Sequence, residues 1–396
     1  MKKTAKLFAI VMALVLALMS GTAALAEESI VDIVANGRNV IAVFVPLTGE
    51  QRQYGEAISN GIKLYVQQYN EANGTNYVVE VNDDKGDSTE AANIANKIIA
   101  NDKVLCAMGS YSSSCVLAAA PIFQEAGQLF LSPGASHPDV PKVGDYIYTY
   151  GINIDDEMAV TLDAIAGRFD LPKLGIIYQA TDHGVKTYEK TAEYYPSLGG
   201  ELVAAETFIA DSTTDFKSII SKVSEAGAEA VFLNTTYADG AQIIMQAEDL
   251  AVDMQWVGNS QLMQDEFLAL VGDLANGLIA TANMPAFLTS TLENEEAYAS
   301  LGENEIAFVN SYQEFCGANP NGFSVLGYDA ASILLFAVEK AGSTDSDALK
   351  EVMADAFLEK EGLLCGDVLE FDTEARTLQR EIGIYEVIDG VYQKLS

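Results

Sequence analysis

The sequence predicts an α/β protein whose parallel sheets are flanked by helices and whose chain is divided into two similar halves. Continuous apolar runs such as VIAVFVPL (40–47) alternate with longer segments in which apolar residues recur every three or four positions. Such runs are typical of strands buried on both faces, and the longer segments are typical of amphipathic helices. The alternation begins again after Gly151, and a mature chain of about 370 residues fits two domains.

The first half alternates regularly between the two patterns. Its predicted strands are residues 40–47, 77–83, 104–109, 129–134 and 146–151. Its predicted helices are residues 54–72, 89–101 and 114–127. The first of these helices carries Ile58, Ile62 and Tyr69 on one face and stops before Gly74, a residue typical of helix ends.

The second half repeats the alternation and then departs from it. Its predicted strands are residues 173–179, 201–208, 228–234, 254–259 and 277–284, and its predicted helices are residues 156–168, 184–197, 214–227, 238–250 and 265–271. After Pro285 we expect helices at 303–316, 328–341 and 345–357. The C-terminal segment alternates at period two, which predicts edge strands or a hairpin.

The N-terminus predicts a signal peptide over residues 1–26. Three lysines precede an uninterrupted apolar run, 7–19, and Ala24-Leu25-Ala26 provides a small-residue cleavage site. The run is shorter than the roughly 20 residues of a membrane span, and no cysteine stands at the cleavage site to carry a lipid anchor. We expect no later segment to be long and apolar enough to span a membrane. The mature protein is therefore expected to be periplasmic or secreted.

The composition argues against several classes of function. With 57 acidic and 22 basic residues, the formal net charge is −35, which repels nucleic acid and anionic membranes. Only two histidines, His137 and His183, are present, so a zinc site or a histidine-based hydrolase is poorly supplied. Asp83 and Asp84 resemble a metal pair without a third ligand, and a capping role or a solvated loop is favoured. No phosphate-binding glycine motif opens a helix, so we expect neither metal nor cofactor.

The four cysteines leave the disulfide pairing open. An oxidising compartment permits three connectivities among Cys106, Cys115, Cys316 and Cys365, and the sequence does not choose between them. Cys316 and Cys365 both neighbour glycines in loop-like sequence and form the candidate pair. Buried free thiols are the alternative, above all for Cys106 inside an apolar strand.

The ends of the predicted strands indicate what kind of site to expect. In open parallel sheets, ligands bind outside the carboxyl ends of the strands. Here those ends carry hydroxyls, amides and aromatic rings with few charges, as in GSYSSS (109–114), SPGAS (132–136) and GNSQ (258–261). Such a set can orient a small polar molecule, but it lacks the nucleophile–base pair of an enzyme. We therefore expect a binding protein and no catalysis.

Ser112 and Ser113 stand where a predicted strand is followed by a helix, and they are candidates for holding an anion. The free N–H groups and the dipole of a helix N-terminus favour a negatively charged group. The 132–136 loop follows the next strand and could hold the same carboxylate. The alternative, that each serine only caps a helix, stays open.

Several stretches carry a resemblance to a known family. They are PLTGEQRQYGEAISNGIKLYVQQYN, DDKGDSTEAANIANKIIANDKVLCAMGSYSSS, AAAPIFQEAGQLFLSPGASHPDV and LGYDAASILLFAVEKAG. Together they resemble the type I periplasmic binding proteins, specifically the leucine/isoleucine/valine-binding branch. The resemblance implies two Rossmann-like lobes, joined by a three-crossover hinge, that close on a ligand and deliver it to an ATP-driven permease.

The pattern of strands and helices sets the expected lobe boundaries. The alternation restarts at Gly151 and breaks again at Pro285. We therefore expect an N-terminal lobe of residues 38–154 plus 286–365. The C-terminal lobe is expected to comprise residues 155–285 plus 366–396.

The resemblance also implies roles for individual residues. Ser113 matches the serine that meets the ligand carboxylate, and the 134–136 loop matches one that contacts both carboxylate and ammonium. Where relatives commonly have Tyr-Gly, this chain has His183-Gly184. The usual acidic partner of the ammonium falls near Ser260, with Asp182 or Asp239 as substitutes. The predicted ligand-binding residues, which include the aromatic residues expected to cover the ligand, are Tyr54, Ser112, Ser113, Gly134, Ala135, Ser136, His183, Tyr237 and Ser260.

The leading interpretation is an exported solute-binding protein. It would capture a small carboxylate-bearing ligand, an amino acid with the branched-chain type favoured. We expect a monomer that works with an ABC transporter permease and ATPase complex. The alternative is an exported ligand sensor of the same fold that acts through a membrane receptor partner.

Overall fold

The computed structural model describes residues 29–210, 212–285, 287, 292–293, 295–299 and 301–395. The predicted signal peptide, residues 1–26, lies outside the described residues, and so does part of the segment that follows Pro285. Everything below refers to the described part of the chain.

The fold is built on two large sheets. The first is formed by parallel strands, namely β1 (Val40–Val45), β2 (Val78–Asp83), β3 (Val104–Gly109), β4 (Phe130–Ser132) and β5 (Ile147–Thr149). Their order across the sheet is β2–β1–β3–β4–β5. Because β1, β3, β4 and β5 are buried along their whole length, the continuous apolar runs of the sequence are explained.

The second sheet is mixed. Its parallel strands are β6 (Lys173–Gln179), β7 (Glu201–Phe208), β8 (Ala230–Asn234), β9 (Gln255–Asn259) and β10 (Ile279–Ala282). A separate short hairpin consists of β11 (Glu370–Asp372) and β12 (Thr377–Gln379). The antiparallel strands β13 (Gly383–Ile388) and β14 (Val391–Lys394) then extend the second sheet, in the order β14–β13–β10–β9–β8–β6–β7.

Helices cover both sheets and confirm the predicted α/β class. In chain order they are α1 (Ile30–Asn36), α2 (Arg52–Asn73), α3 (Ser88–Ile99), α4 (Ser113–Glu125), α5 (Ile154–Phe169), α6 (Asp182–Ser197), α7 (Lys217–Glu225), α8 (Tyr237–Asp249), α9 (Asp265–Val271), α10 (Glu295–Ala299), α11 (Glu303–Cys316), α12 (Gly322–Ala341) and α13 (Ser346–Glu359). We call the first sheet and its helices the first lobe, and the second sheet and its helices the second lobe.

Helix α12 corrects the expectation that no segment after the signal peptide is long and apolar enough to span a membrane. By length and composition it passes that test, yet 83% of its apolar window is buried inside the protein. It packs along α2 so closely that a Cβ atom on Gly327 would lie 2.1 Å from the carbonyl oxygen of Ile58. Its hydrophobicity is therefore that of a core helix.

The chain passes between the lobes after β5, after β10 and between β12 and β13. The β11–β12 hairpin packs on the first lobe, because the ring of Phe371 stacks on that of Phe357 in α13 with centroids 5.2 Å apart. The sequence-based boundary at 365/366 had assigned this hairpin to the second lobe. We therefore propose that the third passage lies near residues 380–382.

A polar cluster connects two of these passages and is called the hinge cluster below. Tyr150 follows β5, and its hydroxyl donates to the buried carboxylate of Asp329 at 2.9 Å. The same carboxylate accepts from the backbone N–H groups of Leu364 and Cys365 at 3.0 and 2.9 Å. Arg380 lies over the Tyr150 ring at 4.1 Å, and its Nη2 donates to the Tyr150 carbonyl at 3.0 Å.

The four cysteines are all free thiols. Cys106 and Cys115 are buried in the first lobe, and Cys316 and Cys365 are half-buried. The candidate disulfide between Cys316 and Cys365 is therefore not formed, and the alternative of free thiols describes the structure.

Candidate functional site

A cavity of about 60 Å³ lies between the carboxyl ends of the two sheets. Loops that follow β3 and β4 form its first-lobe wall, together with the start of α12. Loops that follow β6, β8, β9 and β10 form the second-lobe wall. The cavity has room for roughly four to six water molecules, which makes it a site for a small molecule.

The two lobes touch each other around this cavity. The Tyr54 hydroxyl donates to the carbonyl of Gln261 at 3.2 Å, and Gln261 Nε2 donates to the Tyr111 hydroxyl at 2.6 Å. At another point of the rim, the backbone N–H of Asp182 donates to Ser114 Oγ at 3.3 Å. The cleft is therefore closed in this structure, and a ligand inside it would be shielded from bulk water.

The three consecutive serines have three different roles. Ser112 lines the cavity and is also the N-cap of α4, since its hydroxyl accepts from Cys115 N at 3.4 Å. Ser113 is buried and lines the cavity, and its hydroxyl makes no hydrogen bond within the described residues. Ser114 makes the contact between the lobes. A serine at the start of α4 is thus left free to meet a ligand where the helix dipole favours an anion.

The loop after β4 presents a second free hydroxyl. Ser132 holds the loop by accepting from Ala135 N at 3.0 Å, and Thr149 Oγ1 donates to the Ala135 carbonyl. Ala135 is consequently buried behind the wall, whereas Gly134 and Ser136 line the cavity. Ser136 Oγ has no protein partner in the described part of the chain, so Ser113 and Ser136 offer two free hydroxyls from the first lobe.

Tyr54 and Tyr237 lie one layer behind the cavity wall. Tyr54 is fully buried, and its ring stacks on Tyr111 at 4.5 Å between centroids. Its hydroxyl accepts from the backbone N–H of Tyr237 at 3.1 Å. The aromatic rings of Tyr111 and Phe323 line the cavity instead. The predicted covering role of Tyr54 is thus indirect, because it supports Tyr111 and connects the lobes.

His183 lines the cavity at the start of α6 with a fixed tautomer. Thr187 Oγ1 donates to the His183 carbonyl at 2.9 Å and so accepts from Asn234 Nδ2 at 3.2 Å. Asn234 Oδ1 therefore faces His183 Nδ1, 3.2 Å away, which must carry the proton. Nε2 is left as an acceptor. Burial lowers the pKa of His183 to about 4, so the ring is neutral at physiological pH.

Gly184, the residue after His183, occupies a position that has no room for a side chain. A Cβ atom on Gly184 would lie 2.0 Å from the carbonyl oxygen of Gln179, at the end of β6. Glycine allows the first turn of α6 to sit directly on the end of this strand. The His-Gly pair therefore brings an imidazole to the cavity wall.

Glu157 is an acidic residue of the cavity wall that the sequence did not single out. It lies in the first turn of α5, is only 9% exposed and lines the cavity. Its carboxylate has no ion-pair or hydrogen-bond partner within the described residues. Burial raises its pKa to about 7. A buried carboxylate without a partner is costly to the fold and becomes favourable once a cation is bound beside it.

The acidic residues suggested from the sequence do not line the cavity. Asp182 is exposed at the start of α6, on the outer side of the contact with Ser114. Asp239 is buried, and its carboxylate accepts from Gln179 Nε2 at 3.1 Å. Ser260 does line the cavity, but it carries no charge. Glu157 is therefore the carboxylate available to a ligand among the described residues.

A sequence signal for Glu157 was present. The buried face of α5 comprises Ile154, Met158, Leu162 and Ile165, at helical spacing. Glu157 falls on that face, three residues after Ile154, whereas its acidic neighbours Asp155 and Asp156 do not. A charged residue on an apolar helical face is unusual without a partner. Acidic residues are common at helix starts because they favour the helix dipole, so this group of three acids does not by itself mark Glu157.

Amide side chains occupy the cavity-facing ends of neighbouring strands in the second sheet. We call this set the amide row; it consists of Gln179, Asn234 and Asn259, which are the last residues of β6, β8 and β9, together with Gln261 two residues after β9 and Asn283 directly after β10. Asn234 uses both its polar atoms within the protein, as described above. Gln261 Oε1 is buried without a hydrogen bond, and Asn283 has no side-chain partner in the described residues. The row therefore retains free hydrogen-bonding capacity.

Asp83 and Asp84 hold loops rather than a metal. Asp83 accepts from Leu47 N at 2.8 Å and from the Thr48 hydroxyl at 2.7 Å. Asp84 is buried and accepts from the Ser110 hydroxyl at 2.5 Å. These are contacts within loops, whereas the N-cap of α3 is Asp87. In the part of the chain that the structure describes, no group of three or more metal-ligating side chains comes together.

The sequence is similar to a known protein family and to curated relatives. Residues 40–391 match a family described as periplasmic binding protein. A curated relative from Pseudomonas aeruginosa, the leucine-, isoleucine-, valine-, threonine- and alanine-binding protein, is 26% identical over 342 residues, covering 84% of this chain and 87% of the relative. A Leu/Ile/Val-binding protein homologue from Brucella abortus is 23% identical and covers 80% of this chain and 82% of its own.

Solved structures agree in fold. A leucine-binding protein from Thermotoga maritima superposes with a TM-score of 0.78 at 22% identity, covering 90% of this chain and 97% of that one. A substrate-binding protein of a branched-chain amino acid transporter from Streptococcus pneumoniae, in complex with isoleucine, gives 0.77 at 22% identity, with 90% and 98% covered. A solute-binding protein from Rhodopseudomonas palustris, in complex with 3,4-dihydroxybenzoic acid, also gives 0.77, at 23% identity, with 90% and 96% covered.

Proposed function

The chain belongs to the periplasmic binding protein family, and on that premise we propose that it captures a zwitterionic α-amino acid in the cavity between its lobes. The observation that carries the proposal is that the two sides of the cavity favour ligand groups of opposite charge. The start of α4, in the first lobe, offers hydrogen-bond donors to the cavity. The second lobe offers two acceptors, the Glu157 carboxylate and the neutral His183 imidazole. An amino acid carries one group that suits each side.

The carboxylate of the ligand is assigned to the first lobe. The Ser113 and Ser136 hydroxyls are free, and the N-terminus of α4 adds backbone N–H groups and the positive end of its dipole. Charged hydrogen bonds of this kind contribute roughly 1.5–3 kcal/mol each. Together they provide an anion site without a positively charged side chain.

The ammonium of the ligand is assigned to Glu157 and His183. The ammonium donates three hydrogen bonds, the Glu157 carboxylate is an acceptor when ionised, and His183 Nε2 is an acceptor in its fixed tautomer. Binding of a cation at this point would stabilise the ionised form of Glu157. The usual acidic partner near Ser260 is thereby replaced by an acid from α5.

An aromatic acid is the second candidate ligand, because structural neighbours have been solved with 3,4-dihydroxybenzoate and with benzoate. Such a ligand has a carboxylate for Ser113 but no ammonium for Glu157. It would leave Glu157 buried without a partner, so an amino acid is favoured.

We further propose that the protein is exported and passes its ligand to an ABC permease and ATPase complex. Support comes from the predicted signal peptide and from relatives named as transporter binding proteins. We propose binding without turnover, since the His183 imidazole is held by Asn234 and no acid–base partner orients it toward Ser113.

Release of the natural ligand tests the proposal. The mature protein is purified without denaturation, the bound molecule is released by unfolding, and it is identified by mass spectrometry. Calorimetric titration then compares that molecule with glycine and benzoate at pH 8. An α-amino acid is expected. Tight binding of benzoate together with failure of all amino acids to bind would refute the amino-acid assignment.

A further inference from the structure

The amide row gives the cavity a second type of recognition, separate from the groups assigned to the ammonium and carboxylate. Its residues lie at the carboxyl ends of β10, β9, β8 and β6, which are successive neighbours in the second sheet. Gln179 and Asn259 are at least 95% buried, so their polar atoms are shielded from bulk water. In a branched-chain amino acid site, these positions would suit apolar side chains instead.

Part of the row is already satisfied within the protein, and part is not. Gln179 Nε2 donates to Asp239 at 3.1 Å, and Asn259 Oδ1 accepts from the backbone N–H of Gln261 at 3.1 Å. One polar atom of each of these two amides is thus engaged in a hydrogen bond within the protein. Gln179 Oε1, Asn259 Nδ2 and Gln261 Oε1 make no hydrogen bond within the described residues. The unused sides include both donors and acceptors.

Gln261 is the clearest case. Its Nε2 atom is held by the Tyr111 hydroxyl at 2.6 Å, and its Oε1 atom is buried with no partner. A buried amide atom that lacks a hydrogen bond calls for an explanation, and a ligand group at the cavity wall provides one. If the amide were rotated by half a turn, the free atom would be a donor instead. A hydroxyl or a carboxamide on the ligand satisfies either orientation, since each both donates and accepts.

The spacing also fits a small amino acid. The ends of β6, beside His183, and of β9, beside Gln261, are separated by β8. Two strand spacings amount to roughly 9.5 Å. Because His183 and Gln261 approach the cavity from strands that are not neighbours, there is room between them for the ammonium and a short polar side chain, each with a hydrogen bond of about 2.9 Å. The apolar residues Ile152, Phe323 and Leu326 remain on the opposite wall for the carbon skeleton.

We propose that the ligand is an α-amino acid whose side chain ends in a hydroxyl or a carboxamide, and that Gln261 with the neighbouring amides selects it over the aliphatic amino acid of the same shape. This rests on the proposed function, since it assumes an amino acid in the cavity. An aliphatic side chain would cover Gln261 and Asn259 without replacing their hydrogen bonds, which lowers affinity by roughly tenfold or more.

Two isosteric ligand pairs provide the test. Threonine is compared with valine, and asparagine with leucine, by calorimetric titration of the mature protein, freed of bound ligand, at pH 8. The polar member of at least one pair is expected to bind at least tenfold more tightly. If valine and leucine bind as tightly as their polar partners or more tightly, this inference is wrong while the proposed function stands. If no amino acid binds, the proposed function fails and takes this inference with it.

A matched pair of variants assigns the preference to the amide row. Gln261→Met removes the amide at the cavity wall and is expected to reduce the threonine-to-valine preference at least fivefold. Gln53→Met removes a half-buried amide that does not line the cavity and is expected to leave the preference unchanged. Melting curves show that both variants are folded. A preference that survives Gln261→Met in folded protein would contradict the role of Gln261.

Discussion

Replacing Glu157 with glutamine should make the empty protein more stable and the binding of an amino acid weaker. The carboxyl is buried and has no partner among the residues that the structure describes, and its pKa is raised from 4.5 to about 7. The unfolded chain loses this proton near pH 4.5, whereas the native protein keeps it until about pH 7. The native state thus binds more protons in this window, and stability falls as the pH rises through it.

The size of the effect follows from the width of that window. One pKa unit corresponds to about 1.4 kcal/mol, so a shift of 2.5 units removes about 3 kcal/mol from the free energy of unfolding above pH 7. Glutamine does not titrate. Glu157→Gln is therefore expected to be more stable than the wild type by up to about 3 kcal/mol at pH 8, and equal to it near pH 4.5.

Denaturant unfolding of the ligand-free protein at pH 5, 6, 7 and 8 measures this difference. Asp163→Asn is the matched control, because it removes an exposed acid from the same helix α5 and should change stability by less than about 0.5 kcal/mol. A wild type that is as stable as Glu157→Gln at pH 8, or more stable, would refute the reasoning.

Binding should change in the opposite direction. Loss of the charge-assisted hydrogen bond from the ammonium is expected to weaken amino-acid binding roughly 10- to 100-fold at pH 8. In the wild type, affinity should fall up to tenfold per pH unit below about 7, since Glu157 must first lose its proton. The variant should lack this dependence. An unchanged dissociation constant between pH 5 and 8 in the wild type would show that Glu157 does not meet the ammonium.

Further expectations concern the other groups. Ser113→Ala should weaken binding roughly 10- to 100-fold with little change in Tm, whereas Ser112→Ala should lower Tm by removing a cap worth about 1 kcal/mol; the reverse pattern would make Ser113 merely structural. His183→Phe should weaken binding about tenfold while the pH profile between 5 and 8 keeps its shape, because the imidazole is neutral throughout; a lost pH dependence would implicate His183 instead. Asp329→Ala should destabilise the fold by roughly 3–5 kcal/mol in denaturant unfolding, since it breaks the hinge cluster around buried Arg380; a smaller loss would mean that the cluster is dispensable. Dithiothreitol should leave Tm unchanged because the four thiols are free; a drop would reveal a disulfide.

Much of the fold could be predicted because its signals are local. The continuous apolar run VIAVFV predicts a strand that is buried on both faces. Helix α2 is predicted by its apolar face and by the glycine that follows it. Helix α12 shows where such reasoning stops. It begins at Gly322 rather than at 328, because the Asn321 side chain accepts from the N–H groups of Phe323 and Ser324 and starts the helix earlier. Gly322 and Gly327 are weak helix formers, so local propensity does not favour a helix there.

The site was predictable where its residues follow strands directly. Ser113 and Ser136 belong to loops at strand ends, and their position at the cavity follows from sheet topology alone. Glu157 comes from a helix that starts after a passage between lobes, and its orientation depends on how α5 lies on β10. The pairing of Tyr54 with Tyr111 likewise depends on three-dimensional packing, so the sequence could not tell which ring meets the cavity.

The hinge cluster determines how the two lobes can move. Asp329 of α12 holds the Tyr150 hydroxyl, and Arg380 holds the Tyr150 carbonyl and ring, so the passage at Tyr150 and the one near Arg380 are joined to each other. We expect the remaining passage, after β10, to move more when the cleft opens, because it is not part of this cluster. It carries Asn283 and Met284, which are part of the cavity wall. Opening the cleft would therefore also move part of the cavity wall away from the rest. The ligand would lose contacts in the same motion that releases it.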